Sequence, residues 1–203
     1  MGNLNDKFSE IDFKNVDIAK LPELEQYMLH KVSALNNKFQ KNFKSYNFHT
    51  LYKELLIFCT VDLSSFYFDI RKDSLYCDNK ETQKRKDCII VLNIILDCLL
   101  KWFAPILSFT TEEIFKLLNE EQSNSIHLKK FPKIPNSWNN ETIEKNWVKL
   151  IKIRNAVNAS IETKRAEKLI GSSLEATVKV KLNNDYYNLA NKYDFSEICI
   201  TSG

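Results

Sequence analysis

The residues whose type and spacing could do chemistry are cations. Lys and Arg bunch at Arg71-Lys72, at Lys84-Arg85-Lys86, and along Lys145, Lys149, Lys152, Arg154, Lys164, Arg165 and Lys168. Positive side chains grouped this way hold anionic ligands, of which a polyphosphate backbone is the largest. Between residues 141 and 182 there are nine basic against five acidic residues, a local excess greater than the +3 of the whole chain. Lys164 and Lys168 stand four apart, a like-charge pair on a helix face that a polyanion would relieve.

Other chemistry lacks its parts. His30, His49 and His127 fall in separate segments without a Ser, Cys or Asp partner pattern, and no zinc-ligand spacing, acidic metal cluster or H-E-x-x-H occurs. Gly2, Gly171 and Gly203 are the three glycines of the 203-residue chain, which excludes a P-loop, a G-x-G-x-x-G and a G-x-S-x-G elbow. The five Cys form no C-x-x-C and read as reduced core thiols of a cytoplasmic protein. The expected activity is binding, with no catalytic residue, metal ligand or cofactor of its own.

The elements that must position the cations are mostly helical. Residues 1–20 read as a lead-in. After Pro22, Leu24, Met28, Val32, Leu35, Phe39 and Phe43 recur at spacings of three and four, one stripe of a helix. A second helix is expected over His49–Lys72 with Leu51, Leu55, Cys59, Leu63, Phe66 and Ile70 inward. A third, Cys88–Phe103, is apolar except for a narrow line of Asn93, Asp97 and Lys101; those charges and Pro105 exclude a membrane span. Ser108 or Thr110 can cap the next helix, and His127, Phe131 and Trp138 are expected to pin a connector. The long helix Glu141–Leu169 should end at a left-handed Gly171 cap. Beyond it, Leu174, Ala176, Val178, Val180 and Leu182 alternate with polar residues as a half-buried strand, and Ile198–Ile200 suggests another. The expected class is mainly α: a bundle over 21–169, then the start of a small α/β domain over 170–203.

DLSSFYFDIRKDSLYCD (Asp62–Asp78), LLKWFAPILSFTTEEIF (Leu99–Phe115) and KLIGSSLEATVKV (Lys168–Val180), with YNFHTLYKELLIFC (Tyr46–Cys59), resemble the C-terminal anticodon-binding region of bacterial isoleucyl-tRNA synthetases. The valyl and leucyl enzymes share the pattern at Trp102–Glu113 more loosely. The resemblance implies a helical bundle against the anticodon stem and loop of tRNA(Ile), in a parent whose catalytic and editing domains lie elsewhere. It also implies ATP for that parent and, in many members, zinc at a terminal Cys cluster. The ATP-handling signatures are absent here, so the chain reads as a fragment without aminoacylation chemistry. Arg71, Lys72, Lys84 and Arg85 are the expected contacts to stem or loop, Lys164, Arg165 and Lys168 those to the backbone, and Tyr76 a stacking candidate. Where the family has Lys-Asp-Arg before Leu-Tyr, this chain has Lys72-Asp73-Ser74, with Arg71 offered as the replacement. Two competing readings are the equivalent domain of a valyl enzyme and a helical protein-interaction module.

Overall fold

The computed structural model describes Phe13, residues 16–118 and residues 124–202. Two compact units meet at Asn140/Glu141, so the long helix belongs with the C-terminal segment, whereas the sequence reading divided the chain at 169/170.

In the first unit α1 (Glu23–Lys44) starts one residue after Pro22, which is its N-cap. Gln26 fixes the entry by donating from Nε2 to Leu21 O at 2.8 Å. The stripe Leu24, Met28, Val32, Leu35 and Phe39 is buried as expected. The chain returns through α2 (Phe48–Ile57), whose Asn47 N-cap accepts from Thr50 N. The run then continues as a π-helix (Phe58–Phe68) and as α3 (Asp69–Tyr76), not as one regular α-helix. The wider turn has a sequence consequence. After Leu55, burial falls on Phe58 and then, five residues on, on Leu63, so Cys59 is displaced from the core that regular spacing assigns it. Tyr67 is likewise fully buried.

α4 (Gln83–Phe103) packs on α1 and α3, and α5 (Ser108–Leu118) packs on α4. In the polar line of α4 Asp97 is buried and Asn93 and Lys101 are half-buried, with Asp97 Oδ2 accepting from Lys101 Nζ at 2.8 Å. Trp102 is fully buried, while Leu100, Ala104, Phe115 and Ile126 form a second cluster. Glu112 accepts from Ser125 Oγ (2.8 Å) and Ile126 N (3.0 Å), and these bonds, the hydroxyl's first, hold its carboxyl below the usual range. The connector is pinned as expected by Phe131, against Phe39 and Phe43, and by Trp138, against Phe13. His127 is exposed, and Ile126 takes the inward position, because Ser125 caps a one-turn 3-10 helix that turns its first residue to the core. His30 is buried, and its Nδ1 accepts from Asn140 N at 3.0 Å.

The second unit gathers α7 (Asn184–Ala190) and α8 (Phe195–Cys199) on α6 (Glu141–Ala166). Trp147 meets Tyr193 edge to face at 5.7 Å. Residues 176–182 lie outside any helix, and Val178, Val180 and Leu182 line an apolar cleft with Ile153, Val157 and Phe195. The alternation marks a face that is covered only in part: Ala176, Val178 and Leu182 are half-buried, whereas Leu174 and Val180 are exposed. It did not produce a strand: among the described residues there is no ladder, because period-two patterning encodes a face and not a pairing partner. The expected strand at Ile198–Ile200 is instead the end of α8, started by Asp194, whose carboxylate accepts from Ser196 N and Glu197 N. Asp194-Phe-Ser-Glu197 carried that capping signal.

No helix among the described residues is long and apolar enough to cross a membrane.

Candidate nucleic-acid interface

Arg71 is not available to an anion. Its side chain is 4% exposed and forms a bidentate pair with Glu25 of α1, Nε to Oε1 at 2.6 Å and Nη2 to Oε2 at 2.7 Å. The Tyr67 hydroxyl donates to the same Oε1 at 3.2 Å and lies 3.3 Å from Cys88 Sγ. Burial, reinforced by the Glu25 charge, raises the Tyr67 hydroxyl well above its ordinary range, and burial pushes the Cys88 thiol up to about 11. Both stay protonated around this ion pair. Glu25 was the partner sequence reasoning missed: it sits 46 positions away beside Leu24 and Met28, on the face that packs inward.

The neighbouring residues differ. Lys72 is exposed and reaches Asp69, 3.3 Å away on the preceding turn. Tyr76 is exposed at the last position of α3. Across the turn, α4 opens with Lys84, Arg85 and Lys86 and has no acidic residue in its first turn, although a helix amino end disfavours cations. Two contacts offset this. Arg85 Nε donates to Leu75 O at 3.2 Å, satisfying a carbonyl at the end of α3, and Lys86 pairs with Glu81 at 2.6 Å. Lys84 is half-buried. The turn between α3 and α4 thus carries Lys72 and Tyr76 on its α3 side and Lys84 and Arg85 on its α4 side, with Arg85 tied across it to Leu75 O; cations beside a helix amino end favour a phosphate.

The second cationic group lies in the C-terminal unit. Arg154 is buried, its Nε donating to Ile198 O at 2.9 Å, so it leaves the surface set. Lys164 pairs with Glu167 and Arg165 with Glu162, each at 2.7 Å and each exposed. Lys168 is outside the helix, with φ 57°. Leu169 N donates to Lys164 O and Lys168 N to Arg165 O, both at 3.0 Å, which is the bonding of a left-handed helix cap. Two expectations change with it. The left-handed residue is Lys168, not Gly171, whose φ is not positive. Nor do Lys164 and Lys168 share the helix face expected of them, since α6 ends at Ala166. Gly171 N–H donates to Glu175 Oε2 at 2.9 Å, and a Cβ there would make only an ordinary contact with Glu175 Oε1 at 3.4 Å. Arg165, Lys168 and Glu175 border one open depression.

Among the described residues no group of His, Cys, Asp and Glu could hold a metal ion. Both cationic groups can neutralise phosphates, and the first adds an exposed aromatic ring.

A profile for the anticodon-binding domain of tRNA ligases matches residues 25–182. The chain is 63% identical over 202 residues to isoleucine-tRNA ligase of Pelagibacter ubique (strain HTCC1062), covering 100% of this chain and 22% of that protein. It is 42% identical over 190 residues to the enzyme of the same name from Agrobacterium fabrum (strain C58 / ATCC 33970), covering 93% of this chain and 20% of that one. The chain spans about a fifth of the length of the relatives it matches. With helices, exposed cations and a profile match that runs through both units, the chain belongs to the family of anticodon-binding domains of tRNA ligases.

Proposed function

We propose that the chain is the tRNA-binding module of an isoleucine-tRNA ligase and holds the anticodon stem and loop of tRNA(Ile) in the cytoplasm. The catalytic domain of the parent, which also carries an editing domain, would join isoleucine to the tRNA with ATP, and a terminal Cys cluster would hold zinc. The observation that carries this reading is the family match over 25–182 together with the cation-rich turn at Lys72, Tyr76, Lys84 and Arg85. The names of the relatives support isoleucine over valine.

Bases of an anticodon loop can unstack, lie against an aromatic or guanidinium plane and be read on their edges, while Lys and Arg fix register on the phosphates. Tyr76 is the ring offered for stacking. Lys72, Lys84 and Arg85 hold phosphates nearby, and Lys164, Arg165 and Lys168 hold them from the C-terminal unit. Arg71 acts one step back, keeping α3 against α1 so that Lys72 and Tyr76 are presented at a fixed orientation. Titration of the chain with isoleucine and valine tRNA transcripts, each with native and exchanged anticodons, tests the reading. Preference should follow the anticodon, and affinity should fall steeply with salt, by about 0.7 to 0.9 log units per log unit of salt for each phosphate neutralised. Equal binding of all four transcripts would refute it.

A further inference from the structure

Among the described residues, three without glycine's freedom adopt the left-handed region: Tyr46 (φ 55°), Lys168 and Ile200. Tyr46 is the one whose ring is left in solvent. It follows α1 at the position where helices favour Gly, with Asn47 N donating to Asn42 O at 2.9 Å and Tyr46 N to Phe43 O at 3.2 Å. A side chain there strains the backbone, and the ring, 80% exposed, gains little burial in return. Strain kept without compensating packing points to a function for the side chain.

The surroundings say which function. Tyr46 stands edge to face with Phe48 at 6.1 Å, Phe48 with Phe43 at 5.8 Å, and Phe43 with Phe131 at 4.9 Å. This relay supports the exposed ring from behind and joins the end of α1 to the connector. Both segments lack acidic residues. No Asp or Glu occurs between Glu25 and Glu54, nor from Gln122 to Asn140. Lys41, Lys44, Lys130 and Lys133 are exposed on them, each within three positions of one of these rings. A supported aromatic face beside unopposed cations is the arrangement that binds nucleic acid with unpaired bases, rings stacking and Lys holding the strand. An acidic protein partner would match the charge but gives no reason for a strained, outward ring.

We propose that Tyr46 is a stacking platform for an unpaired RNA base, with Lys41, Lys44, Lys130 and Lys133 on the flanking phosphates. It is a second contact surface of the same tRNA, apart from the α3–α4 turn, and it rests on the RNA-binding reading above. The test is Tyr46→Gly, because Gly relieves the strain and removes the ring. Stability and affinity then move in opposite directions, with Tm rising by about 2 to 4 °C while affinity for an isoleucine tRNA transcript falls about tenfold. A fully paired RNA duplex should lose none, and Tyr46→Phe should keep both properties. Unchanged tRNA affinity in Tyr46→Gly, or an equal loss on duplex and tRNA, would overturn the platform. If the wild-type chain bound isoleucine and valine tRNAs alike while Tyr46→Gly weakened both, the isoleucine assignment would fail and the platform would stand.

Discussion

Charged side chains are used differently in the two units. In the bundle two pairs turn inward: Glu25 with Arg71 and Asp97 with Lys101 are ion pairs largely closed off from solvent. At the end of α6 they turn outward, where Lys164 and Arg165 pair with acids on their own helical turn and stay wet. A desolvated pair holds its geometry because neither partner can be left alone, whereas an exposed pair is worth little and can be exchanged for a phosphate. Position relative to a carboxylate, more than residue type, separates the structural cation from the binding one.

The largest effect that could break this contrast is Arg71→Ala. It leaves the Glu25 carboxylate buried without its cation, and chemical denaturation should show a loss of about 3 to 5 kcal/mol. The paired replacement Arg71→Met with Glu25→Leu should recover most of that, since no charge then remains buried. If Arg71→Ala kept its stability and lost tRNA affinity, Arg71 would be a contact after all.

Arg154 sharpens the comparison from the other side, as a buried cation in the unit whose surface cations are exposed. Its Nε bond to Ile198 O holds α8 on α6. Arg154→Ala should cost about 2 kcal/mol by leaving a buried carbonyl unpaired, with little change in the salt dependence of RNA binding. A lower salt slope would move Arg154 into the binding set.

At Lys168 the effect is smaller and of opposite sign. Lys168→Gly removes the left-handed strain and should stabilise by about 1 kcal/mol, read as a higher denaturation midpoint, while tRNA affinity falls with the lost charge. A destabilised Lys168→Gly would mean that the aliphatic stem, not the ammonium, is what the site needs.

How much of this was legible beforehand follows from the range of each interaction. The burial of Leu24, Met28, Val32, Leu35 and Phe39 was readable because a helix stripe is written at spacings of three and four. So was the cationic turn, since Lys72, Lys84 and Arg85 lie close in sequence. The fate of Arg71 was not, because its partner is 46 residues away and only packing brings them together. The five-residue step from Phe58 to Leu63 was hidden because both α and π spacing find an apolar residue there, Cys59 or Phe58. The helix end at Lys168 was missed for a simpler reason. In a chain with three glycines, the left-handed positions fall to other residues, and Gly171, the nearest candidate, lies three residues past Lys168 without a positive φ.

The smallest effect on stability is expected at Lys164 and Arg165. Each lies in an exposed pair three residues from its acid, an arrangement worth at most a few tenths of a kcal/mol in water. Lys164→Gln with Arg165→Gln should therefore leave the denaturation midpoint within about 0.5 kcal/mol of the parent. The same double change frees Glu162 and Glu167 to repel a phosphate, so its cost should appear in RNA binding instead. Affinity for an isoleucine tRNA transcript should fall, and the log-log salt slope should shrink by about 1.5 units if both cations neutralise phosphates. A slope that stayed the same would remove the end of α6 from the interface and leave the RNA to the bundle.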